Sequence, residues 1–294
     1  MIDTKIIIDH GSYYIKYGYS GYNKPFDKIR SKLYRHNITK TLFTHDDIIK
    51  ENIKTSDLTV FSVIKNSIII DFEKITYFWD MIFNNLEAET SNCEILIINP
   101  IYVASDYQNK ISKILNEKYN FKKIHFYNQQ LLGLYGSCSD KGIVIDIGHD
   151  FTRIVPIFDS FIITEGIVLF SICRSLYNKF LLKATSPGTS YSQKDITFQN
   201  MLFNPQDFDI QDINLFDAIL KCIKSCPIDL RKRLCQNIVV IGGGSMGLNT
   251  KNSNFCDKLK SGIKDFQINI TFPNNRNVIS WLGGSMLCAV RSSI

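Results

Sequence analysis

Short runs of β-branched and aliphatic residues alternate along this chain with stretches of helical periodicity. The runs predict strands at Lys5–His10, Tyr14–Tyr19, Ile68–Asp71, Glu94–Asn99, Lys123–Tyr127, Gly142–Asp146, Arg153–Phe158, Phe161–Ile167 and Asn237–Ile241. The periodic stretches predict helices at Phe72–Leu86, Ser105–Glu117 and Ile213–Cys226. Because strands and helices alternate, we predict an α/β fold.

Breaker residues and tryptophans add detail to this pattern. Residues Ser186–Ser192 contain Pro-Gly and form the clearest predicted loop, and Asp207–Asp212 is a largely polar connection. Trp79 lies on the apolar face of the first predicted helix. We expect both Trp79 and Trp281 to be core residues.

Composition narrows the class of protein. Of 294 residues, 45% are hydrophobic and 21% are charged, and no run of eighteen apolar residues occurs, so a membrane span is not expected. The sequence enters a strand at once without a signal-peptide pattern, so we expect a cytoplasmic, cytoskeletal protein, with the nucleus as the alternative. The eight cysteines are scattered and without C-x-x-C spacing, which predicts reduced thiols rather than a zinc site.

The net charge of +6 is concentrated in two basic clusters, Arg30–Arg35 and Arg231–Arg233. Such clusters bind nucleic acid when aromatic residues are interleaved in one stripe. Neither cluster forms such a stripe. We therefore interpret both as solvated surface and expect no direct binding of nucleic acid.

Two phosphate-loop signatures of one design follow predicted strands, at Asp9–Ser12 and at Asp146–Thr152. In each, a glycine lets backbone N–H groups approach an anion, and a hydroxyl follows. If the two hairpins face one another, they would clamp nucleotide phosphates, with Mg²⁺ between Asp9 and Asp146. The candidate binding residues in these two hairpins are Asp9, Gly11, Ser12, Asp146, Gly148 and Thr152. The alternative for Ser12 and Thr152 is a purely local hydrogen bond within the hairpin.

Six stretches, taken in order, resemble the actin superfamily. They are Asp9–Gly21, Asn66–Trp79, Gln129–Asp146, Met201–Pro205, Val239–Ser245 and Ser280–Ser285. The resemblance covers nearly the whole chain. It implies an actin-like, ribonuclease H-like duplicated α/β fold of two lobes, with residues 1–129 plus 280–294 in the first lobe and 130–279 in the second.

Length sets this chain apart from the family pattern. Only residues 165–201 stand where actin inserts its fourth subdomain, and residues 23–58, matching the second subdomain, are also few. The chain ends at Ile294 without a match to actin's C-terminal tail. In the family these extensions carry the next filament subunit. The resemblance therefore implies a terminal subunit and argues against a homopolymer.

The resemblance also gives the site residues family roles. Gln129 matches the glutamine that orients the attacking water, and the alternative is that it only caps a helix. Asp9 and Asp146 match the two metal-side carboxylates. The turn with Gly242, Gly243 and Gly244 is similar to the family's adenosine-contacting glycine turn, and Lys16 of the opening hairpin is a further nucleotide-binding candidate that the resemblance implies. Part of a hydrolysis apparatus is therefore present, with Gln129 as the catalytic candidate.

Other positions depart from that apparatus. Tyr13 and Tyr14 follow Ser12, where the family keeps a glycine, and neighbouring tyrosines on one face would fill the phosphate cleft. Asp150 also replaces a glycine and adds a carboxylate near phosphate, which His149 and Arg153 would partly neutralise. The expected cofactor is ATP or ADP with Mg, bound weakly or not at all, and ATPase activity is not expected.

Three function classes follow from the resemblance. In size and truncation the chain is similar to the pointed-end actin-related subunit of dynactin in its short fungal form. That similarity implies end capping of a short actin-like filament, supporting dynein-driven, microtubule-based transport, with an actin-related filament protein and other dynactin subunits as partners. The alternatives are a nuclear actin-related subunit of a chromatin-remodelling complex and a weak actin-like ATPase.

Overall fold

The computed structural model describes residues 4–184, 197–248 and 254–291. The chain separates into two compact units, Met1–Gln129 with Gly284–Ile294 and Gln130–Gly283, called unit 1 and unit 2 below. The predicted loop at Ser186–Ser192 lies outside the described residues. Within those residues, every helix is too short or too polar to cross a bilayer.

Unit 1 contains ten strands among its described residues. They are β1 (Thr4–His10), β2 (Tyr14–Tyr19), β3 (Asp27–Arg30), β4 (Lys32–His36), β5 (Leu42–Phe43), β6 (Leu58–Ser62), β7 (Ile64–Lys65), β8 (Ile68–Ile69), β9 (Cys93–Asn99) and β10 (Lys123–Asn128). Its helices are α1 (His45–Lys50), α2 (Ile75–Asn85) and α3 (Tyr107–Tyr119), and helix α4 (Gln129–Gly136) begins at its last residue.

The main sheet of unit 1 has five strands in the order β10-β9-β1-β2-β3. Strands β1, β9 and β10 are parallel, whereas β1–β2 and β2–β3 are antiparallel. Alternate residues of β1 and β9, including Ile6, Ile8, Ile95 and Ile97, belong to one buried cluster with Trp79 of α2. Period-two alternation thus directs one face of the sheet to the core.

A smaller sheet, in the order β5-β4-β6, lies in the shortened region that matches the second subdomain. Helix α1 packs against it through the buried Ile48. No strand was predicted in residues 23–58, which is wrong, because β3, β4 and β5 lie there. These strands carry lysine, arginine and threonine among short apolar runs, so no regular alternation marks them.

Unit 2 contains six strands among its described residues. They are β11 (Gly142–Ile147), β12 (Thr152–Phe158), β13 (Phe161–Ile162), β14 (Val168–Phe170), β15 (Ile238–Ile241) and β16 (Ile270–Thr271). Its further helices are α5 (Arg174–Ala184), α6 (Phe198–Phe203), α7 (Leu215–Ser225), α8 (Ile228–Cys235), α9 (Phe255–Gly262) and α10 (Ile279–Arg291), of which α10 continues into unit 1.

The two sheets repeat one design. In unit 2 the order is β13-β12-β11-β15-β16, with β14 also paired to β12. The β11–β12 pair is antiparallel, like β1–β2 in unit 1. The β11–β15 pair is parallel, like β1–β9. The predicted duplicated, actin-like α/β fold is therefore confirmed.

Several predicted boundaries differ from the structure. The strand predicted at Phe161–Ile167 is wrong as one element, because a 3-10 helix at Thr164–Gly166 divides β13 from β14. Helix α2 begins at Ile75 rather than Phe72, since the Asp71 carboxylate accepts the Lys74 N–H (2.9 Å) and closes a turn first. Both tryptophans are fully buried, as predicted.

Candidate functional site

The first hairpin connects β1 to β2 and carries an ion pair across the ladder. Asp9 lies opposite Lys16 in the antiparallel register. The Lys16 Nζ donates to Asp9 Oδ2 at 2.6 Å, and the Asp9 residue is only 2% exposed. Pairing with the ammonium group compensates the cost of burying this carboxylate.

The tip of this hairpin is closed by hydrogen bonds within unit 1. A Cβ at Gly11 would lie 2.6 Å from the Tyr14 carbonyl oxygen, so only glycine fits the turn. The Ser12 hydroxyl oxygen accepts the Ser67 N–H at 2.9 Å, and the Ser12 carbonyl accepts the Ser31 hydroxyl at 2.5 Å. These two bonds join Ser12 to segments outside its hairpin, so they differ from the purely local bond that was predicted as the alternative.

The tyrosines after Ser12 stack with cations on β3. The Arg30 guanidinium lies 4.5 Å from the Tyr13 ring centre, and the Lys28 Nζ lies 4.8 Å from that of Tyr14. Tyr13 is 38% exposed, whereas Tyr17 is fully buried in the core. Within unit 1, Tyr13 therefore extends to the surface and Tyr17 into the core, and the filling of a phosphate cleft by tyrosines stays a prediction.

His10 is a buried histidine beside this hairpin. Its Nε2 accepts the Trp79 Nε1–H at 3.0 Å, so its remaining ring proton resides on Nδ1 when the ring is neutral. Burial lowers the pKa of His10 to about 4, and the neighbouring Asp9 charge raises it only in part. His10 is therefore neutral near pH 7.

Acidification is expected to destabilise the protein through His10. The unfolded chain takes up this proton near pH 6.5, whereas the folded pKa is about 4. Because the unfolded state binds more protons in that window, the contribution of neutral His10 to the free energy of unfolding is present above about pH 6.5 and is lost as the pH falls to about 4. Through His10 alone, the free energy of unfolding should fall by about 3 kcal/mol over this range. Urea unfolding at several pH values measures it.

The matched variant is His10→Gln, whose side-chain oxygen can still accept from Trp79 but does not titrate. Its free energy of unfolding should fall less steeply than that of the wild type between pH 6.5 and 4. Equal slopes for the two proteins would show that other groups carry the acid sensitivity.

The second hairpin connects β11 to β12 in unit 2. The buried Asp146 accepts a hydrogen bond from Gln130 Nε2 at 2.7 Å. The Gly148 N–H donates to the Phe151 carbonyl at 2.9 Å, and a Cβ there would lie at the same distance from that oxygen. The Thr152 hydroxyl donates to the Ile172 carbonyl at 2.5 Å. Thr152 is fully buried and is thus engaged inside the fold.

The glycines at 242–244 lie against this second hairpin. A Cβ at Gly242 would lie 2.6 Å from Asp146 Oδ1, and one at Gly244 would lie 2.6 Å from the Gly148 carbonyl oxygen. Gly242 also has a positive φ of 93°. Gly243 has no such neighbour within 4 Å. Unit 2 therefore brings its predicted glycines and Asp146 together, with Gly243 on the open side.

Two charged residues of this hairpin were predicted to offset Asp150. The His149 Nε2 lies 4.0 Å from Asp150 Oδ1, which is the outer limit of an ion pair. Arg153 is buried and lies opposite Asp146 in the β11–β12 register. Because paired residues of an antiparallel ladder carry their side chains on the same face, the Arg153 and Asp146 side chains lie on one face of the sheet.

The catalytic candidate Gln129 is the first residue of α4 and is half-buried. Its Oε1 is buried without a hydrogen-bond partner in the described part of unit 1. The next residue, Gln130, holds Asp146 and was missed by the sequence analysis. Two adjacent glutamines give no signal as to which one points to a carboxylate.

Arg276 is a second residue that the sequence analysis missed. Its guanidinium is buried and donates to the carbonyls of Pro273, Ser245, Met246 and Leu248 at 3.1–3.3 Å. The last three belong to the turn at 243–248 that begins at the glycines. Arg276 therefore braces that turn from inside unit 2.

Asp9 and Asp146, the candidate Mg²⁺ carboxylates, lie in different units. Within residues 4–184, 197–248 and 254–291, no group of three His, Cys, Asp or Glu side chains is arranged to hold a metal ion. Neither hairpin alone therefore forms a complete metal site.

The repeated sheet order, with an Asp-containing glycine hairpin on the first two strands of each sheet, defines a class of duplicated α/β proteins. The Actin family matches this chain over residues 3–188 and 188–293. The chain belongs to the actin family.

Curated relatives are similar at low identity over nearly the whole chain. "Actin-related protein 2" of Arabidopsis thaliana is 23% identical over 361 residues, covering 97% of this chain and 91% of the relative. The protein of that name from Oryza sativa subsp. indica is 24% identical over 360 residues, with the same coverage. That from Acanthamoeba castellanii is 22% identical over 356 residues, covering 97% and 92%.

Proposed function

We propose that this chain is a non-catalytic structural subunit of a multiprotein actin-related assembly, and that it occupies a filament end. The observation that carries the proposal is the closure of both phosphate-type hairpins by the protein itself. In unit 1, Ser12 bonds to Ser67 and Lys16 to Asp9. In unit 2, Thr152 bonds to the backbone of Ile172 and Gln130 to Asp146.

These bonds engage part of what a nucleotide would need. The Thr152 hydroxyl donates inside the fold and must lose that bond before it can donate to phosphate, which costs about 1 kcal/mol. The Ser12 hydroxyl only accepts from Ser67 and keeps its own proton. The N–H groups of Gly11, Gly148 and Gly242 donate to the carbonyls of Asp9, Phe151 and Arg276. The residues thus fit an ATP or ADP phosphate with Mg poorly at Thr152 and at these three N–H groups, which supports weak binding without turnover.

The filament-end position is supported by missing internal segments. The comparison with the Arabidopsis relative extends over 361 positions, whereas this chain has 294 residues. That relative therefore has segments that this chain lacks. In a family whose members stack into filaments, a subunit without part of the stacking surface suits the last position.

The particular assembly is a finer hypothesis. A dynactin-type filament with dynein as its motor was the interpretation of the sequence. The relatives named above do not favour it, because each carries the name actin-related protein 2. Dynactin therefore rests on chain length alone, and a cytoplasmic actin-related assembly is the function that we propose.

Restoring glycine at two altered positions tests the nucleotide part of the proposal. The double variant Tyr13→Gly, Asp150→Gly should bind Mg-ATP about tenfold more tightly than the wild type, since a carboxylate and a bulky ring are removed. Isothermal titration measures the affinity. An unchanged affinity would show that other features close the site.

The absence of turnover is tested by phosphate release from the purified chain with Mg-ATP. We expect no release above that of an Asp9→Asn, Asp146→Asn double variant. Release that Gln129→Ala lowers by about a hundredfold would establish an actin-like ATPase instead.

The structural role is tested by purifying the tagged chain from its native cells at moderate salt and identifying what remains bound. An actin-related filament protein among the partners supports the end-subunit role. Remodelling ATPases or histones would assign the chain to a nuclear complex, and a chain that purifies alone would contradict the proposal.

A further inference from the structure

Strand β6 forms one edge of the small sheet in unit 1. Its only strand partner among the described residues is β4. Thr59, Val60 and Ser62 are exposed, and Val60 is 51% exposed. An edge of this kind presents unpaired backbone groups to solvent.

The ladder fixes which backbone groups point outward. The Asn37 N–H donates to the Asp57 carbonyl, and this pair continues the β4–β6 register. In an antiparallel ladder, hydrogen-bonded and non-bonded pairs alternate, so Thr59 and Phe61 bond to β4. The N–H and C=O groups of Val60 and Ser62 therefore point away from the sheet.

The other long edge strands of the described residues are protected by charge. Strand β3 contains Asp27, Lys28 and Arg30, and β10 contains Lys123. Charged side chains on an edge discourage the addition of another strand. Strand β6 has the sequence Leu-Thr-Val-Phe-Ser, and no charged residue occurs from Leu58 to Ile64. Among edge strands of four or more described residues, β6 alone lacks this protection.

We infer that β6 is a docking edge for an extended segment of a different protein, added as a further strand next to Val60 and Ser62. The inference rests on the proposed function, because it names how a partner in the assembly would bind. Main-chain hydrogen bonds would hold the segment, and alternate side chains would contact the exposed face.

Charge indicates the chemistry of the partner. Exposed Lys65 follows β6, whereas the exposed Lys54 and Asp57 precede it and offset each other. A segment with an uncharged, β-branched centre and an acidic residue at the end next to Lys65 would therefore complement this edge. A second copy of this chain, paired antiparallel about Val60, would place residues 54–57, which carry both signs, next to Lys65 and so would bring no net negative charge there. A heterologous partner with an acidic end fits better.

The test compares backbone amide exchange in the free chain and in the assembly purified from native cells. We expect the Val60 and Ser62 amides to exchange about tenfold or more slowly in the assembly. An intact assembly in which these amides exchange as in the free chain would overturn the inference and leave the proposed function standing. A chain that purifies alone would contradict both. Protection that grows with the concentration of the free chain would identify a second copy and overturn the heterologous partner.

Variants give a second readout. Val60→Pro removes an outward N–H and no bond to β4, so it should lower the recovered partner about tenfold. Val60→Lys adds an edge charge without altering the backbone, and should act likewise if the proline variant is misfolded. The control is Ile49→Lys, which makes the same charge change at a 65% exposed position on α1. Equal recovery of the partner by all three folded variants would overturn the inference.

Discussion

Replacing Gly283 by alanine is expected to lower the free energy of unfolding by about 3 kcal/mol. Gly283 lies in α10, and a Cβ there would overlap the Leu132 carbonyl oxygen of α4 and lie 2.9 Å from the Gly136 nitrogen. Both neighbours are backbone atoms, so no side-chain rotation relieves the overlap. Gly136 shows the reciprocal contact with the Ile279 backbone. Chemical denaturation measures the change.

The control is Gly247→Ala, because the nearest atom to a Cβ there is the Arg174 side-chain nitrogen at 3.7 Å, an ordinary contact. Its stability should change by less than about 0.5 kcal/mol. If Gly283→Ala were as stable as this control, the close contact of α4 with α10 would not exist in solution. The variant also matters for the site, since α4 carries Gln130, the hydrogen-bond donor to Asp146.

The second large loss of stability is expected for the variant Arg276→Met. Methionine fills much of the volume but removes the side-chain donor to four carbonyls. The Pro273 and Ser245 carbonyls still accept the backbone N–H groups of residues 276 and 248, whereas the Met246 and Leu248 carbonyls lose the donor that the structure shows. Buried acceptors left unsatisfied cost about 1 kcal/mol or more each, so we expect a loss of about 2–3 kcal/mol. Amide exchange should accelerate most in the turn at 243–248. Denaturation and exchange together measure the two effects.

Arg233→Met is the matched control, because this arginine is exposed on α8, with its guanidinium 5.9 Å from the Phe158 ring centre. The Arg233→Met substitution should lower the free energy of unfolding by less than about 1 kcal/mol. Similar losses for both arginines would mean that the bonds of Arg276 to the turn contribute little, and that the glycine turn is held by its own backbone.

Regular, buried strands could be predicted from the sequence, and charged, short ones could not. Strands β9 and β11 were predicted within one residue of their observed bounds, because aliphatic runs identify strands buried in a sheet. Strand β2 was predicted with its observed bounds, because tyrosine and isoleucine favour strands. Strands β4 and β6 were missed because their partners are distant in sequence and their residues mixed in polarity.

The candidate site could likewise be predicted only in part. Glycines in the two hairpins follow from local turn chemistry, which a sequence contains. The bonds of Ser12 to Ser67 and of Thr152 to Ile172 join separate segments, so only the fold shows them. Arg276 likewise lies about thirty residues from the turn it braces, and nothing local in its sequence marks that role.

The two buried tryptophans have a practical consequence. The chain contains only these two, with Trp79 in unit 1 and Trp281 in unit 2. Each unit therefore carries a single tryptophan fluorophore, and a Trp→Phe change in one unit leaves the tryptophan emission of the other. The Trp79 and His10 ring centres are 5.9 Å apart, so protonation of that imidazole would be reported as quenching in unit 1 while Trp281 serves as an internal reference.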